Sequence, residues 1–166
     1  MQSFCAKVVI FAENSAENQS EKGDGELMSR YKISVSSNFK ELWRYNITLV
    51  GELCSADGER IEYKSKESFV APVGSNLQNA PADYVAKRDL SLESSEGDSL
   101  NVLVYVVPHT LPKSDDIYTT KPFPLVVKVE NEGGVVLNQS FEINQWSGDN
   151  ITLRAENGKR KAENFF

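Results

Sequence analysis

The 166 residues carry 18 basic against 24 acidic side chains, a net charge of −6 with an isoelectric point near 4.9. That balance speaks against nucleic acid as a partner, because phosphate binding needs a basic stripe. Hydrophobic residues make up 40% of the chain, no stretch approaches the roughly 20 apolar residues of a membrane-spanning helix, and the length suits one domain of about 100–200 residues.

Ala6–Ala12 reads as a first strand, apolar on both parities apart from Lys7. It has neither a basic leader nor a signal-length apolar core, so no secretory signal is expected and the chain is placed in the cytoplasm. Residues 13–26 are acidic and hold no large apolar side chain. Such a segment buries too little surface to offset its ordering entropy and reads as a mobile loop. Met28–Ser36 alternates, with Tyr31, Ile33 and Val35 facing in and Arg30, Lys32 and Ser34 facing out.

Trp43, Tyr45, Ile47, Leu49 and Leu53 share one parity, and Arg44, Asn46, Thr48 and Glu52 share the other. This is a strand with a packed face and a solvated face. Gly51 is read as a bulge, and Ser55-Ala56-Asp57-Gly58 carries the Asp-Gly hairpin signal. In the return strand Ile61, Tyr63 and Phe69 are expected inward, with Glu62, Lys64, Lys66 and Ser68 outward; lysines there suit a sheet edge. Residues 71–83 form a loop. Tyr84–Glu93 alternates again, with Tyr84, Ala86, Leu90 and Leu92 on one side, and Ser94–Asp98 is expected to turn.

Leu100–Val107 is the longest apolar run, rich in β-branched residues on both parities, so a strand buried on both faces is expected. Residues 108–124 contain Pro108, Pro112, Pro122 and Pro124. Proline fixes φ and removes a donor, so this stretch is a crossover loop. Leu125, Val127 and Val129, then Val135, Leu137, Phe141 and Ile143, then Ile151, Leu153 and Ala155 form a closing meander with turns at Asn131–Gly134 and Ser147–Asn150. Residues 157–166 are a polar, basic tail ending in Phe165-Phe166, which is free to dock. The pattern defines an all-β, two-sheet antiparallel sandwich of about eight or nine strands in one domain, residues 1–156. C2-like, immunoglobulin-like and transthyretin-like arrangements all fit it.

No Gly-x-Ser-x-Gly, His-Glu-x-x-His, Walker or dinucleotide motif is present. His109, the single histidine, lies in the proline-rich loop near Asp115 and Asp116. A metal centre needs more ligands than this, so His109 reads as an exposed loop residue, and neither metal nor cofactor is expected. Cys5 and Cys54, the two cysteines, read as free thiols of a reducing compartment, with a bridge open to them in an oxidising one. Asp57, Asp83, Asp98, Asp115, Asp116 and Asp149 occupy turns, where aspartate is common, without the close spacing that suits calcium. Asn18, Asn46, Asn138 and Asn150 stand in Asn-x-Ser/Thr sequons, and Asn46 and Asn138 fall on outward faces. Trp43 belongs to the core, while Trp146, beside a turn, is expected to be exposed.

Elimination leaves a non-catalytic protein-binding or assembly module, a structural or adaptor subunit of a larger complex. Its contact residues are expected in the proline-rich loop (Pro108, His109, Leu111, Pro112, Asp115, Asp116, Ile117 and Tyr118), followed by Trp146. A calcium- or lipid-linked C2-like module is the alternative, and a carbohydrate-binding or small hydrolase domain comes after it. The core assignment is open to test: Val104→Asp would bury an unpaired charge and should prevent folding. A soluble Val104→Asp variant with an unchanged melting temperature would refute the placement of this strand.

Overall fold

The computed structural model describes residues 28–84, 89–113 and 118–156. The expected first strand, acidic loop and basic tail fall outside them, as do Asp115, Asp116 and Ile117. Eight strands make up the described fold: β1 Ser29–Ser36, β2 Tyr45–Cys54, β3 Arg60–Ser68, β4 Asp89–Gly97, β5 Ser99–Pro108, β6 Phe123–Asn131, β7 Gly134–Ile143 and β8 Asp149–Glu156. They form two antiparallel four-stranded sheets in the orders β4-β1-β6-β7 and β3-β2-β5-β8.

Period-two alternation explains the layer between the sheets. Tyr31, Ile33 and Val35 of β1 and Leu125, Val127 and Val129 of β6 point from one side. Leu49 and Leu53 of β2, Leu100, Val102, Val104 and Val106 of β5, and Ile151 and Leu153 of β8 point from the other, all within one buried cluster. A fully buried aliphatic side chain of this size contributes about 1.5–3 kcal/mol relative to exposure, so this layer dominates the folding free energy.

β5 is central in its sheet and is buried on both faces over its first half, where outward Ser99 and Asn101 are closed as well, but its outer face opens over its second half. Leu100, Val102, Val104 and Val106 are closed off, while Leu103 and Tyr105 are half-buried and Val107 is exposed. Pairing with β2 and β8 satisfies its backbone, and the opposing sheet covers one face only.

β3 lies at an edge, as its lysines suggested, but its parity is the reverse of the expected one. Pairing sets Lys66 beside Leu49 and Glu62 beside Leu53, with a register shift between Leu53 and Cys54. Ile61, Tyr63 and, beyond the strand, Phe69 are therefore exposed. Glu62 and Lys64 reach across the rim to the other sheet instead. The Ser95 amide and hydroxyl donate to Glu62 at 2.9 and 2.6 Å, and Lys64 Nζ donates to Glu93 O at 2.9 Å. Those bonds hold the Glu62 carboxyl below its ordinary value. Inward charges at a rim close the sandwich and block further strand pairing.

Other departures have local causes. The bulge expected at Gly51 falls at Leu53/Cys54; a Cβ on Gly51 would lie 3.0 Å from Ile33 Cδ1, so glycine here gives room to the opposing sheet. Residues 94–97 continue β4, and Asp98 alone carries the chain into β5. This abrupt change of sheet brings Gly97 so near the core that a Cβ would stand 2.5 Å from Leu53 Cγ. A register shift at Val129/Glu130 turns Val135 outward and buries Val136 in its place. Cys54 is buried and disulfide-bonded rather than a free thiol. Among the described residues no helix is long and apolar enough to cross a membrane.

Gly97→Ala should destabilise the fold by about 1–3 kcal/mol through overpacking. The loss should shrink when Leu53 is also alanine, as a double-mutant denaturation cycle would read. Additive losses would place the clash elsewhere.

Candidate functional site

Strand register gathers four connections between the sheets at one end of the sandwich. β1 leaves at Ser36, which pairs with Asp89 at the start of β4. β2 enters at Tyr45, opposite Pro108 at the end of β5. β3 leaves at Ser68, opposite Ile47, and Phe123 of β6 pairs with Ile143 of β7. The connections β1–β2, β3–β4, β5–β6 and β7–β8 therefore meet there, and Pro108, His109, Leu111, Pro112, Tyr118 and Trp146 all belong to them.

Backbone groups at such an end lie beyond the sheet ladders and need other partners. Three side chains supply them. Asn46, expected outward, is buried: its Oδ1 accepts from Val70 N (2.7 Å) and Ala71 N (3.3 Å), and its Nδ2 donates to Ala71 O (2.7 Å). These bonds dock the loop after β3 on the outer face of β2 and leave the Asn46 sequon unusable for a glycan. Removing the amide would strand the buried amide and carbonyl of Ala71, at a cost of about 1–3 kcal/mol each, and the part-buried amide of Val70.

His109 is 1% exposed rather than an exposed loop residue. Its Nε2 lies 2.7 Å from Trp43 O, a pure acceptor, so Nε2 carries the proton and donates. Nδ1 lies 2.8 Å from Thr110 Oγ1 and accepts the hydroxyl proton, while the same hydroxyl oxygen accepts from Leu77 N at 2.9 Å. The His109 backbone donates to Arg44 O and accepts from Asn76 N. Both ring nitrogens are thus engaged in fixing the loops, which leaves neither for a metal or for proton transfer.

Arg44, also expected outward, is 2% exposed because the 3-10 turn Leu42–Arg44 takes the place of the first residues of the expected strand. Its guanidinium lies 5.3 Å from the Tyr45 ring centre and 5.7 Å from that of Phe39. It donates to Thr110 O and Gln145 Oε1 and pairs with Glu41 at 3.1 Å. Gln145 in turn donates to Lys121 O and accepts the Tyr45 hydroxyl proton at its backbone carbonyl. One buried cation therefore joins β2 to the β5–β6 and β7–β8 connections.

Trp146 is half-buried rather than open. Its amide donates to Asn144 Oδ1 at 2.8 Å, and its Nε1 has no hydrogen-bond partner among the described residues. Leu111 is exposed, its amide directed at Asn76 Oδ1 (3.4 Å), and Tyr118 is 93% exposed. Sequence reasoning missed Phe69, Val73 and Val107, which are exposed apolar residues of the same end. Val107 lies opposite Asn46, and Phe69 immediately precedes the Val70 amide that Asn46 holds. Val73 belongs to the turn closed by the Ser75 amide on Pro72 O, next to the Asn76 that contacts Leu111. Asn46 shares its parity with Thr48 and Glu52, so nothing in the local pattern set it apart for this docking.

The described residues contain no group of three or more His, Cys, Asp and Glu side chains able to hold a metal. The chain matches no protein-family model, no curated protein and no solved structure.

Burial pushes the Tyr45 hydroxyl up to about 12, against a smaller opposing effect of Arg44. A group whose folded value is raised supplies stability that is whole below its unfolded value of 10.0 and lost as pH rises toward 12. Tyr45→Phe should therefore flatten the decline of denaturation free energy between pH 10 and 12. Superimposable alkaline limbs in the two proteins would contradict this account of the Tyr45 site.

Proposed function

We propose that this protein is a non-catalytic protein-binding or assembly module that engages its partner through the loop end of the sandwich. The observation that carries the reading is an apolar surface on a rigid frame. Phe69, Val73, Val107 and Leu111 stay exposed although the loops that bear them are fixed by buried Asn46, His109 and Arg44. Ordering costs are then met within the free protein, so burying these side chains yields more net affinity. Tyr118, on the same crossover loop, adds an aromatic side chain of the kind enriched among binding hot spots. Both His109 ring nitrogens and the Asn46 amide are spent on fixing the loops, which favours a scaffold over a reacting centre. A protein surface with complementary apolar side chains is the class of partner that fits.

Phe69→Ser combined with Leu111→Ser should leave the melting temperature nearly unchanged. The double variant should weaken capture of a specific partner from native lysate by at least about tenfold, the order expected for losing one or two interface anchors. The same partners retained at the same salt and protein concentration would refute the assignment of this surface.

A further inference from the structure

The β4-β1-β6-β7 sheet carries a concavity on its outer face, at the end away from the loops. It offers about 320 Å³. Two register shifts flank it. From Lys32 to Arg30 the partner strand runs from Glu93 to Glu96, so β4 holds one residue more than β1 over that stretch. From Glu130 to Val129 the partner runs from Val135 to Leu137, so β7 likewise holds one more than β6. Such bulges bend a sheet and re-aim the side chains beside them. Side chains take over backbone bonding here. Ser94 Oγ accepts from Tyr31 N at 3.0 Å, and the two Glu132 carboxylate oxygens accept from Arg30 N at 3.1 and 3.3 Å. The Arg30 amide holds the Glu132 carboxyl below its ordinary value.

The charges around the concavity stand in columns. β1 supplies Arg30 and Lys32. β4 sets Glu96 beside Arg30 and Glu93 beside Lys32, and β6 sets Glu130 on the other side of Lys32. Several of these groups are matched already. Arg30 Nε lies 3.7 Å from Glu96, and Lys128 Nζ lies 3.0 Å from Glu130. Lys32 and Glu93 differ. Both are exposed and they oppose each other in register. Residues so opposed stand about 4.5–5.5 Å apart at Cβ, yet among the described residues neither joins an ion pair. One cation and one carboxylate therefore face the same open space with their charges unspent.

We propose that this concavity binds a small zwitterion of the α-amino acid class, with the ligand carboxylate on Lys32 and its ammonium on Glu93. A simple anion or a simple cation would satisfy one of the two groups and meet a like charge at the other; a zwitterion satisfies both. Glu93, Glu96, Glu130 and Glu132 together outnumber Arg30, Lys32 and Lys128, which favours an amino acid with a second cationic group, such as free lysine. The space is of the right order, since small-molecule pockets run from about 300 Å³ upward. The site lies at the opposite end from the apolar loop surface and does not rest on that interface.

The test titrates the full chain with free lysine and follows backbone amides by nuclear magnetic resonance. Saturable shifts should centre on Lys32, Glu93 and Glu130, with a dissociation constant on the order of 1 mM. Lys32→Gln and Glu93→Gln should each raise it at least about tenfold, as loss of a charged hydrogen bond predicts. Both side chains are exposed, so each variant should melt within about 2 °C of the parent. Cadaverine, which is lysine without the carboxylate, should bind the parent at least about tenfold more weakly than lysine does, and the gap should close in Lys32→Gln. Equal binding of cadaverine and lysine to the parent would mean attraction of cations alone and would overturn the proposal. So would shifts centred elsewhere, unchanged affinity in both variants, or no saturable shift up to about 20 mM lysine.

Discussion

The structure depends on one dry layer. Leu49, Val102, Val104, Leu125, Val127 and Val129 are entirely closed to solvent between the two sheets. Each strand supplies one face to that layer, so the chain either folds back within a sheet, as at β2–β3 and β6–β7, or crosses to the other. Gly97 shows how close the packing is, since the crossing from β4 to β5 has no room for a Cβ above Leu53. At the rim, where aliphatic contact gives out, Glu62 and Lys64 continue the closure by hydrogen bonding to β4.

The remaining crossings leave four stretches of backbone at one end without ladder partners. Buried Asn46, His109 and Arg44 meet that need, and each does so by a different chemistry. The amide pairs with a loop as another strand would, the imidazole bridges a carbonyl and a hydroxyl, and the guanidinium draws three connections around two aromatic rings. The network defines one arrangement, although the Arg44 Nε within it is buried without a hydrogen-bond partner. Its consequence is outward: Phe69, Val73, Val107 and Leu111 are held at the surface by an ordered frame.

Most of the fold was legible in the sequence, because period-two alternation marks a strand whose two faces differ. β1, β6 and β8 follow it in the parity of Tyr31–Val35, Leu125–Val129 and Ile151–Ala155, whereas in β2 the inward set Tyr45–Leu53 holds but Asn46, Val50 and Glu52 of the face expected to be solvated are buried too. The pattern failed where pairing register rather than composition decides the face. The shift at Leu53/Cys54 turns Ile61 and Tyr63 outward, and the shift at Val129/Glu130 exchanges Val135 for Val136. The site was legible only as a place. A proline-rich crossover identified the loop end, but the loop-fixing bonds of His109, Arg44 and Asn46 reach chiefly to residues 24 to 101 positions away in the chain. Local spacing carries no trace of such contacts.

The central claim is that the loop end is an extension of the core. Amide hydrogen exchange tests it directly. The amides of Val70, Asn76, Leu77, His109 and Thr110, all bonded in this network, should be protected far above a free loop and should open together with β2 and β5. Exchange of these amides at the rate of an unstructured peptide, while the strands stay protected, would contradict the account.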